Sequence, residues 1–340
     1  MAERIKWGVL GNATIARKCV IPAIRKSRNG FVYALGTRSP AGARELIAEN
    51  SIRHVYDSYD AVLKDTAVDA VYIPLPNHLH YHWTLKALRA GKHVLCEKPI
   101  ACNQKEAREM ATTAEERGLH LMEAFMYRFH GRSRIIKRII ENGEIGPLSL
   151  LRSAFCFRMG DDVLNSLDNN RLKPERGGGA LLDVGCYSVS LARWFFGIEP
   201  SLVQAMAIYH EKGSDVHMVG SLMFPEKGLA TIEASFISAL QQTYTAVGAE
   251  GAIELPHDAF IPWEKDAAFI VRGKNDEVGQ KRIVDGEDEY QRMVEFFTDA
   301  VQGSTDSDLY LEESVSNMKI LDALAKSAKT GKAVQVNEGY

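Results

Sequence analysis

The stretch from residue 5 to residue 16, IKWGVLGNATIA, decides how this chain begins to fold. Its apolar first half, residues 5–10, predicts a short buried strand. Gly11 to Ala16 predict a tight turn, and a helix is expected over 15–27. Strand-like runs and helical patterns then alternate as far as residue 123. This alternation is typical of a parallel sheet with helices on both faces.

The chain changes its pattern of secondary structure at about residue 125. Before that point, further strands are expected over 31–37, 69–75, 93–96 and 119–123, and helices over 40–50, 78–90 and 103–117. After it, strands near 148–158, 201–210, 215–224, 228–236, 242–249 and 267–272 accompany helices over 131–142, 180–196, 287–301 and 311–329. We therefore predict an α/β domain over 1–124 and an α+β domain over 125–340 with a large, open-faced, mostly antiparallel sheet.

Composition excludes several classes of protein. The 340 residues are 46% hydrophobic and 25% charged, which is ordinary for a globular chain with a full core. The net charge of −3 predicts neither nucleic acid nor a membrane as partner, and no apolar run approaches the roughly 20 residues of a membrane helix. Five cysteines without a CxxC pair predict no metal site and a reducing cytoplasm, and the first strand begins too early for a signal peptide.

The turn after the first strand is a candidate phosphate-binding loop. Residues 11–16 read G-x-A-x-x-A where the dinucleotide fingerprint has G-x-G-x-x-G/A. The side chain of Ala13 leaves less room than glycine for a pyrophosphate to approach the backbone, so the match alone is weak evidence for a dinucleotide site. Its position between a strand and a helix strengthens it, because a helix N-terminus offers N–H groups and a positive dipole to phosphates. We predict a Rossmann-type nucleotide domain with cofactor contacts from Gly11, Asn12, Ala13, Thr14 and Ile15.

The end of the second strand indicates which dinucleotide binds. A site for NAD usually has an acidic residue here to hold the ribose hydroxyls. This chain has Thr37-Arg38-Ser39 instead, and an arginine between two hydroxyls suits a 2′-phosphate. NADP is therefore the predicted cofactor, with NAD as the alternative. A solvated loop arginine without a ligand remains the other interpretation of Arg38.

Two tripeptides follow strands of the predicted parallel sheet. Residues 76–78, Pro-Asn-His, follow the strand that ends near Leu75, and residues 97–99, Glu-Lys-Pro, follow the strand that ends at Cys96. Ligands of such sheets bind outside the carboxyl ends of the strands. Pro76, Asn77, His78, Glu97 and Lys98 are thus candidate cofactor contacts. Lys98 as an ordinary surface lysine is an equally good interpretation of spacing alone.

Residues 177–187, GGGALLDVGCY, place a carboxylate and a phenol four residues apart on one face of an apolar helix. Tyr187 could be a core tyrosine with a satisfied hydroxyl. Asp183 needs a partner, because a carboxylate within an apolar helix is costly, and Lys98 is the candidate partner. A lysine, a tyrosine and an aspartate in one pocket form a proton-transfer set for carbonyl and alcohol chemistry.

Taken in order, these motifs resemble the Gfo/Idh/MocA oxidoreductases over essentially the whole chain. The combination of Glu-Lys-Pro at 97–99 with Asp-x-Gly-x-Tyr at 183–187 is specific to that family. Residues 123–130, EAFMYRFH, and 171–175, RLKPE, resemble the branch of glucose–fructose oxidoreductase, NADP-dependent D-xylose dehydrogenase and dimeric dihydrodiol dehydrogenase. Gly131 and Asn170 depart from the pattern of the branch on the expected substrate side.

The resemblance implies a catalytic pair, Lys98 and Tyr187, in a cleft between the two domains. It implies that Asp183 lies in the substrate site, and we add Arg171 as a further candidate substrate contact. Tyrosine at 187, where inositol dehydrogenases have histidine, favours aldose or dihydrodiol substrates. A free tyrosine has a pKa of about 10, and a nearby ammonium would favour its phenolate. The resemblance also implies a homodimer or homotetramer formed through the C-terminal sheet.

The function predicted is NADP(H)-dependent hydride transfer between nicotinamide and a sugar or small cyclic alcohol or carbonyl, which makes the protein a cytoplasmic oxidoreductase acting on CH–OH groups. Two alternatives stay open. One is a biosynthetic sugar-nucleotide or keto-sugar reductase, which needs a basic diphosphate site in the second domain. The other is a non-catalytic NADP(H)-sensing protein on the same fold.

Overall fold

The computed structural model describes residues 3–166, 168–305 and 308–336. Contacts divide the chain into two compact units. The first consists of residues up to 129 together with 288–315, and the second of 130–287 together with the residues from 316 onward. Each unit has its own sheet. The domain boundary after residue 124 remains a prediction.

The first unit is built on six strands that all pair in parallel, in the spatial order β3-β2-β1-β4-β5-β6. The strands are β1 (Ile5–Leu10), β2 (Gly30–Gly36), β3 (His54–Tyr56), β4 (Ala70–Ile73), β5 (His93–Cys96) and β6 (Leu121–Glu123). The central strands are buried along almost their whole length, as expected of a sheet that helices cover on both faces. The predicted parallel α/β sheet is confirmed.

Helices connect these strands. They are α1 (Ile21–Lys26), α2 (Arg44–Glu49), α3 (Tyr59–Lys64), α4 (Asn77–Arg89) and α5 (Gln104–Glu116), with a 3₁₀ turn at Ala41–Ala43 and another at Met126–Phe129. The helix expected over 15–27 is present, but its segment Ala16–Val20 is a π-helix that continues into α1. Strand β3 and helix α3 were not predicted from the sequence.

The second unit carries a sheet of nine strands in the order β14-β13-β12-β11-β7-β10-β9-β8-β15. The strands are β7 (Leu148–Arg158), β8 (Leu202–Tyr209), β9 (Asp215–Phe224), β10 (Gly228–Ser235), β11 (Ile237–Gly248), β12 (Gly251–Leu255), β13 (Ala267–Gly273), β14 (Gln280–Val284) and β15 (Val334–Gln335). Within this sheet, only the β7–β10 pair is parallel among the pairings of the described residues. The large, mostly antiparallel sheet is confirmed.

Three helices of the second unit precede or interrupt its sheet: α6 (Gly131–Glu141), α7 (Asp161–Leu164) and α8 (Cys186–Phe196). Short 3₁₀ turns lie at Asn170–Leu172 and Pro174–Arg176. The helix expected over 180–196 is present, although its first part, Leu181–Gly185, is a π-helix. Almost every residue of α8 is buried.

Two helices close the chain, α9 (Glu289–Val301) and α10 (Asp308–Thr330). Although α9 lies far from β1 in sequence, it belongs to the first unit. Phe297 of α9 packs against Trp7 of β1 with ring centroids 5.4 Å apart. The core of the first unit therefore includes residues from both ends of the chain.

One face of the nine-stranded sheet is open to solvent. In a strand, successive side chains point to opposite faces. On β8 the buried Val203 and Ala205 alternate with Met206, 71% exposed, and Ile208, 56% exposed. Leu229 on β10 is 51% exposed. The expected open-faced sheet is thus confirmed. None of the described helices is long and apolar enough to cross a membrane.

Candidate active site

The turn after β1 has the backbone of a phosphate-binding loop. Gly11 has φ +114°, and its N–H donates to the carbonyl of Gly36 at 2.8 Å. A side chain here would be strained, and its Cβ would lie 3.3 Å from both Leu75 and the hydroxyl of Tyr59. The helix begins at once, since the N–H of Arg17 donates to the carbonyl of Ala13 at 3.0 Å. Its first N–H groups lack partners within the helix and suit a phosphate.

The order of the strands places this loop at the point where the sheet order reverses. The sheet order runs one way from β1 to β3 and the other way from β4 to β6. Ligands of doubly wound sheets bind at the carboxyl ends of the strands, at the point of this reversal. The predicted residues of the loop are accessible there: Asn12, Ala13 and Ile15 are half-buried, and Thr14 is exposed.

The end of β2 presents an arginine to solvent. Thr37 is buried, and its hydroxyl accepts a hydrogen bond from the N–H of Ser39 at 3.2 Å. This bond closes a tight turn that leaves Arg38 and Ser39 exposed. A guanidinium beside hydroxyls can hold a phosphate by charge-assisted hydrogen bonds. The residues present therefore fit a dinucleotide that carries a 2′-phosphate.

The segments after β4 and β5 lie side by side, because these strands pair in register with Ile73 opposite Cys96. Pro76, Asn77 and His78 are half-buried at the start of α4, and Lys98 is half-buried after β5. The peptide bond between Lys98 and Pro99 is cis. Both tripeptides therefore end at the same edge of the sheet.

Glu97 is 9% exposed, and its carboxylate accepts a hydrogen bond from the hydroxyl of Tyr72 at 2.6 Å. Tyr72 is completely buried, and this burial, together with the Glu97 charge, raises the pKa of its hydroxyl well above the usual value. The hydroxyl therefore stays protonated and donates. Within the first unit, the carboxylate of Glu97 thus anchors the segment that precedes Lys98.

His80 is a residue that the sequence analysis missed. It is 0% exposed, with Nδ1 2.8 Å from the carbonyl oxygen of Pro99 and Nε2 2.7 Å from that of Leu75. Burial lowers its pKa to about 4, with Lys98 and His78 contributing. An uncharged ring carries one N–H, so it donates to only one of these two carbonyl oxygens. The sequence carries no signal for this contact, because it depends on how two strand ends lie relative to each other in the folded unit.

The glycine run of the second unit allows close backbone packing. A Cβ on Gly178 would lie 2.7 Å from the carbonyl oxygens of Asn170 and Arg171. Gly179 has φ +128°, and a Cβ there would overlap the carboxylate of Asp215. Its N–H donates to the carbonyl of Arg171 at 2.9 Å. The glycines therefore bring the loop that carries Arg171 against the start of the helix.

Asp215 is a second residue that the sequence analysis missed. One oxygen of its carboxylate accepts a hydrogen bond from the N–H of Leu181 at 2.7 Å. Burial raises the pKa of this carboxyl, while backbone hydrogen bonds, led by that from Leu181, act in the opposite direction. A carboxylate at this place stabilises the N-terminus of the helix that carries Asp183 and Tyr187.

Asp183 forms an ion pair with Arg171. The Nε of Arg171 lies 2.7 Å from Oδ2 of Asp183, and the side chains are 55% and 16% exposed. The charge of Asp183 raises the pKa of the guanidinium. The carboxylate thus has Arg171 as a partner in its own unit. Its pairing with Lys98, expected from the sequence, remains a prediction. The pair offers a hydrogen-bonding surface to a polyhydroxylated ligand.

Tyr187 is 4% exposed, and its ring is fixed by other aromatic rings. Ring centroids lie 5.3 Å from Phe155 and 5.4 Å from Phe260, and those two rings stack on each other at 5.5 Å. Such contacts fix the direction of a phenol. The structure therefore places Arg171, Asp183 and Tyr187 in one unit, and the other candidate residues in the first. Their roles remain predictions.

Two family patterns match the chain. One, described as an oxidoreductase family with an NAD-binding Rossmann fold, matches residues 5–125. The other, described as the GFO/IDH/MocA C-terminal domain, matches residues 133–254. Both matches fall on the expected family.

Relatives and solved structures resemble the chain over most of its length. It is 37% identical to D-xylose 1-dehydrogenase (NADP(+)) 2 of Haloferax volcanii, over 97% of this chain and 99% of that protein. It is 32% identical to a dTDP-3,4-didehydro-2,6-dideoxy-alpha-D-glucose 3-reductase of Streptomyces violaceoruber, over 88% and 85%. A 3-ketoreductase from Actinomadura kijaniata, solved with NADP and TDP-benzene, superposes with a TM-score of 0.88 at 27% identity, covering 96% of this chain and 98% of that one. The chain therefore belongs to the Gfo/Idh/MocA family of oxidoreductases.

Proposed function

We propose that this protein is an NADP(H)-dependent dehydrogenase that transfers hydride between nicotinamide and an aldose or a related small cyclic alcohol or carbonyl. The observation that carries the proposal is the 37% identity to an NADP-dependent D-xylose dehydrogenase over nearly the full length of both proteins. The candidate residues of both units are consistent with that chemistry.

In this proposal the first unit holds the cofactor, with NAD as the alternative to NADP. The turn at 11–15 and the N-terminus of its helix bind the phosphates, and Thr37, Arg38 and Ser39 bind the 2′-phosphate. Residues 76–78, Glu97 and Lys98 line the same edge of the sheet. When bound, the nicotinamide supplies the hydride donor or acceptor.

The protein transfers the proton, accepting it from the alcohol in oxidation and donating it to the carbonyl oxygen in reduction. Tyr187 exchanges a proton between its hydroxyl and the reacting oxygen of the substrate, and its aromatic neighbours keep that hydroxyl in one direction. Lys98 polarises the same oxygen and favours the phenolate. Asp183, paired with Arg171, binds a substrate hydroxyl and orients the sugar. These roles rest on the family resemblance together with the local geometry of each residue.

The open face of the nine-stranded sheet supports a homodimer or homotetramer. Large apolar side chains on that face, among them Met206 and Ile208, are more than half exposed. An exposed sheet face that carries several large apolar side chains is usually covered by another protein surface. We propose that a second copy covers it, in the cytoplasm, which the five free cysteines favour.

A keto-sugar reductase is the second candidate, because relatives at 29–32% identity are 3-reductases of a dTDP-keto-sugar. Such a substrate needs cations for its diphosphate. In the segment 171–176, Arg171 pairs with Asp183 at 2.7 Å, and Lys173 pairs with Asp168 at 2.8 Å. This pairing leaves less positive charge for a diphosphate, and so favours an aldose.

The test begins with fluorescence titration of the protein with NADPH and NADH, which we expect to show tighter binding of NADPH. Aldoses, beginning with D-xylose, are then screened with NADP⁺ by absorbance at 340 nm. Turnover of an aldose supports the proposal. Turnover of dTDP-keto-sugars alone would favour the reductase, and NADPH binding without turnover of either class would favour a sensor.

A further inference from the structure

The backbone on both sides of Lys98 is held by buried side chains of the first unit. Before it, the carboxylate of Glu97 accepts a hydrogen bond from Tyr72 at 2.6 Å. After it, the N–H of Ile100 donates to a carboxylate oxygen of Glu123 at 2.9 Å. Every one of these contacts is buried. Buried hydrogen bonds thus hold the residues on both sides of Lys98, and the lysine projects from the backbone between them.

His80 supplies a further contact of this segment. Its Nδ1 lies 2.8 Å from the carbonyl oxygen of Pro99, and its Nε2 lies 2.7 Å from the carbonyl oxygen of Leu75. Leu75 directly precedes the candidate site residues 76–78, and Pro99 directly follows Lys98. One rigid ring therefore stands between the backbones of two segments that carry candidate site residues.

We propose that His80 is a positioning residue for Lys98, and that its Nδ1–H donates to the carbonyl of Pro99 and fixes the backbone from which the lysine projects. This inference rests on the proposed catalytic role of Lys98. His80 is 0% exposed, so it acts only through the segment it holds. A displacement of about 1 Å at a reacting group can cost about 100-fold in rate.

Two substitutions separate the contacts of the ring. The amide nitrogen of asparagine occupies nearly the place of Nδ1, whereas that of glutamine reaches nearly the place of Nε2. His80→Asn therefore keeps a donor for Pro99, and His80→Gln keeps one for Leu75. We expect His80→Asn to retain kcat within about threefold, and His80→Gln to lose at least tenfold in kcat with unchanged affinity for NADPH.

A second readout does not depend on turnover. Lysines are labelled by reductive methylation with ¹³C, and the signal of Lys98 is assigned by its loss in Lys98→Met. We expect His80→Gln to shift or broaden this signal and His80→Asn to leave it in place. If the wild type turns over no aldose, the proposed function fails, while this signal still tests whether His80 positions Lys98.

His93→Gln is the matched control. His93 lies at the start of β5, the opposite end of the strand that leads to Lys98, and its Nδ1 accepts a hydrogen bond from the N–H of His120 at 3.0 Å. Burial lowers its pKa to about 4, as it does for His80. We expect this variant to lower the melting temperature without changing kcat or the Lys98 signal.

The wild-type protein provides a test that needs no folded variant. Long-range ¹H–¹⁵N correlation of histidine rings shows which nitrogen bears the proton. We expect the Nδ1–H tautomer for His80. The Nε2–H tautomer would overturn the proposal, because Pro99 would then receive no hydrogen bond. Equal kcat and equal Lys98 signals in His80→Gln and the wild type would overturn it as well.

Discussion

The segments around Lys98 and around Tyr187 are held in place by different means. The first segment is a strand end fixed by buried side chains, His80 among them, that bond to the backbone or side chains beside the lysine. The second is a glycine-rich turn whose backbone packs directly on a neighbouring loop, joined to it by the half-exposed pair of Arg171 and Asp183. The segment around Lys98 relies on buried side-chain partners, whereas the segment around Tyr187 relies on glycines, which have no side chain.

This difference predicts different sensitivities. Removing a partner from a buried hydrogen bond costs about 1–3 kcal/mol, because the remaining group is left without water. An exposed ion pair contributes about 0.2–1 kcal/mol. The Lys98 segment should therefore respond to changes in buried partners and to acid. The Tyr187 segment should respond to added side-chain volume at its glycines and little to the loss of its ion pair.

The largest effect is expected from removing the ammonium. Lys98→Met should lower kcat about 1,000-fold, because the charge that polarises the substrate oxygen is lost, while the Kd of NADPH stays within threefold. Stopped-flow kinetics and fluorescence titration measure both quantities. Lys86→Met, which removes an exposed lysine paired with Asp60 at 2.9 Å, is the control. A kcat within tenfold of the wild type would remove Lys98 from the mechanism.

Removing the phenol should cost somewhat less. Tyr187→Phe should lower kcat about 100-fold, since water can replace a hydroxyl in proton transfer more easily than an ammonium in polarisation. The melting temperature should hardly change, because the ring still packs between Phe155 and Phe260. Tyr244→Phe, in the same aromatic cluster, should leave kcat unchanged. Equal rates for the two variants would contradict the assignment.

Adding a side chain to the glycine turn should destabilise the second unit. Gly179→Ala places a methyl group against the carboxylate of Asp215 at a φ of +128°, and we expect a loss of about 3 kcal/mol in the free energy of unfolding. Gly197→Ala is the control: φ is +66°, and nothing lies within 4 Å of its Cβ position, so about 1 kcal/mol is expected. Urea denaturation distinguishes the two, and equal losses would show that Asp215 does not restrict the turn.

Acid should weaken the first unit through His80. Its pKa is about 4 in the folded protein, against an ordinary value of 6.5. Between these values the unfolded chain binds a proton that the folded chain does not, so stability falls as pH falls from 6.5 to 4, by about 3 kcal/mol for this residue. Denaturation at pH 7, 5.5 and 4.5 measures the slope. His80→Asn should flatten it, and an unchanged slope would show that His80 is protonated in the folded protein.

The smallest effect on stability is expected from the ion pair. Arg171→Ala should change the free energy of unfolding by less than about 1 kcal/mol, because the arginine is 55% exposed. The KM for the aldose should rise about tenfold, since Asp183 loses the partner that orients it. Arg158→Ala removes a more exposed pair, with Asp161, and should leave KM unchanged. A normal KM in Arg171→Ala would exclude this arginine from the substrate site.

Elements with a clear apolar pattern were predicted from the sequence with nearly correct bounds. Strands β1, β7 and β9 have the predicted bounds because their buried runs end at turn residues or charges. Strand β3 was missed because it has three half-buried residues and no apolar run. Strand β14 was missed because its residues are mostly exposed and it forms through pairing with β13.

The candidate site residues could be predicted from the sequence, but the residues that contact them could not. Lys98 and Tyr187 belong to local motifs, and such motifs are recognised from residues that are adjacent in sequence. The pairing of Arg171 with Asp183 depends on how a glycine turn folds back on the loop. The contact of His80 with Pro99 depends on the spacing of two strands. Contacts of this kind follow from tertiary structure, and a single sequence carries no signal for them.

The return of α9 to the first unit has a consequence for how this protein can be divided. A fragment that stops at residue 129 would leave Trp7 without Phe297, and Asn29 without the backbone carbonyl of Glu295 that its side chain binds at 3.0 Å. Such a fragment would expose apolar surface and aggregate. An autonomous nucleotide-binding module would have to join the residues up to 129 directly to residues 288–315. Each unit is thus formed by two separate stretches of the chain, and the first unit becomes complete only after residues 288–315 have been synthesised.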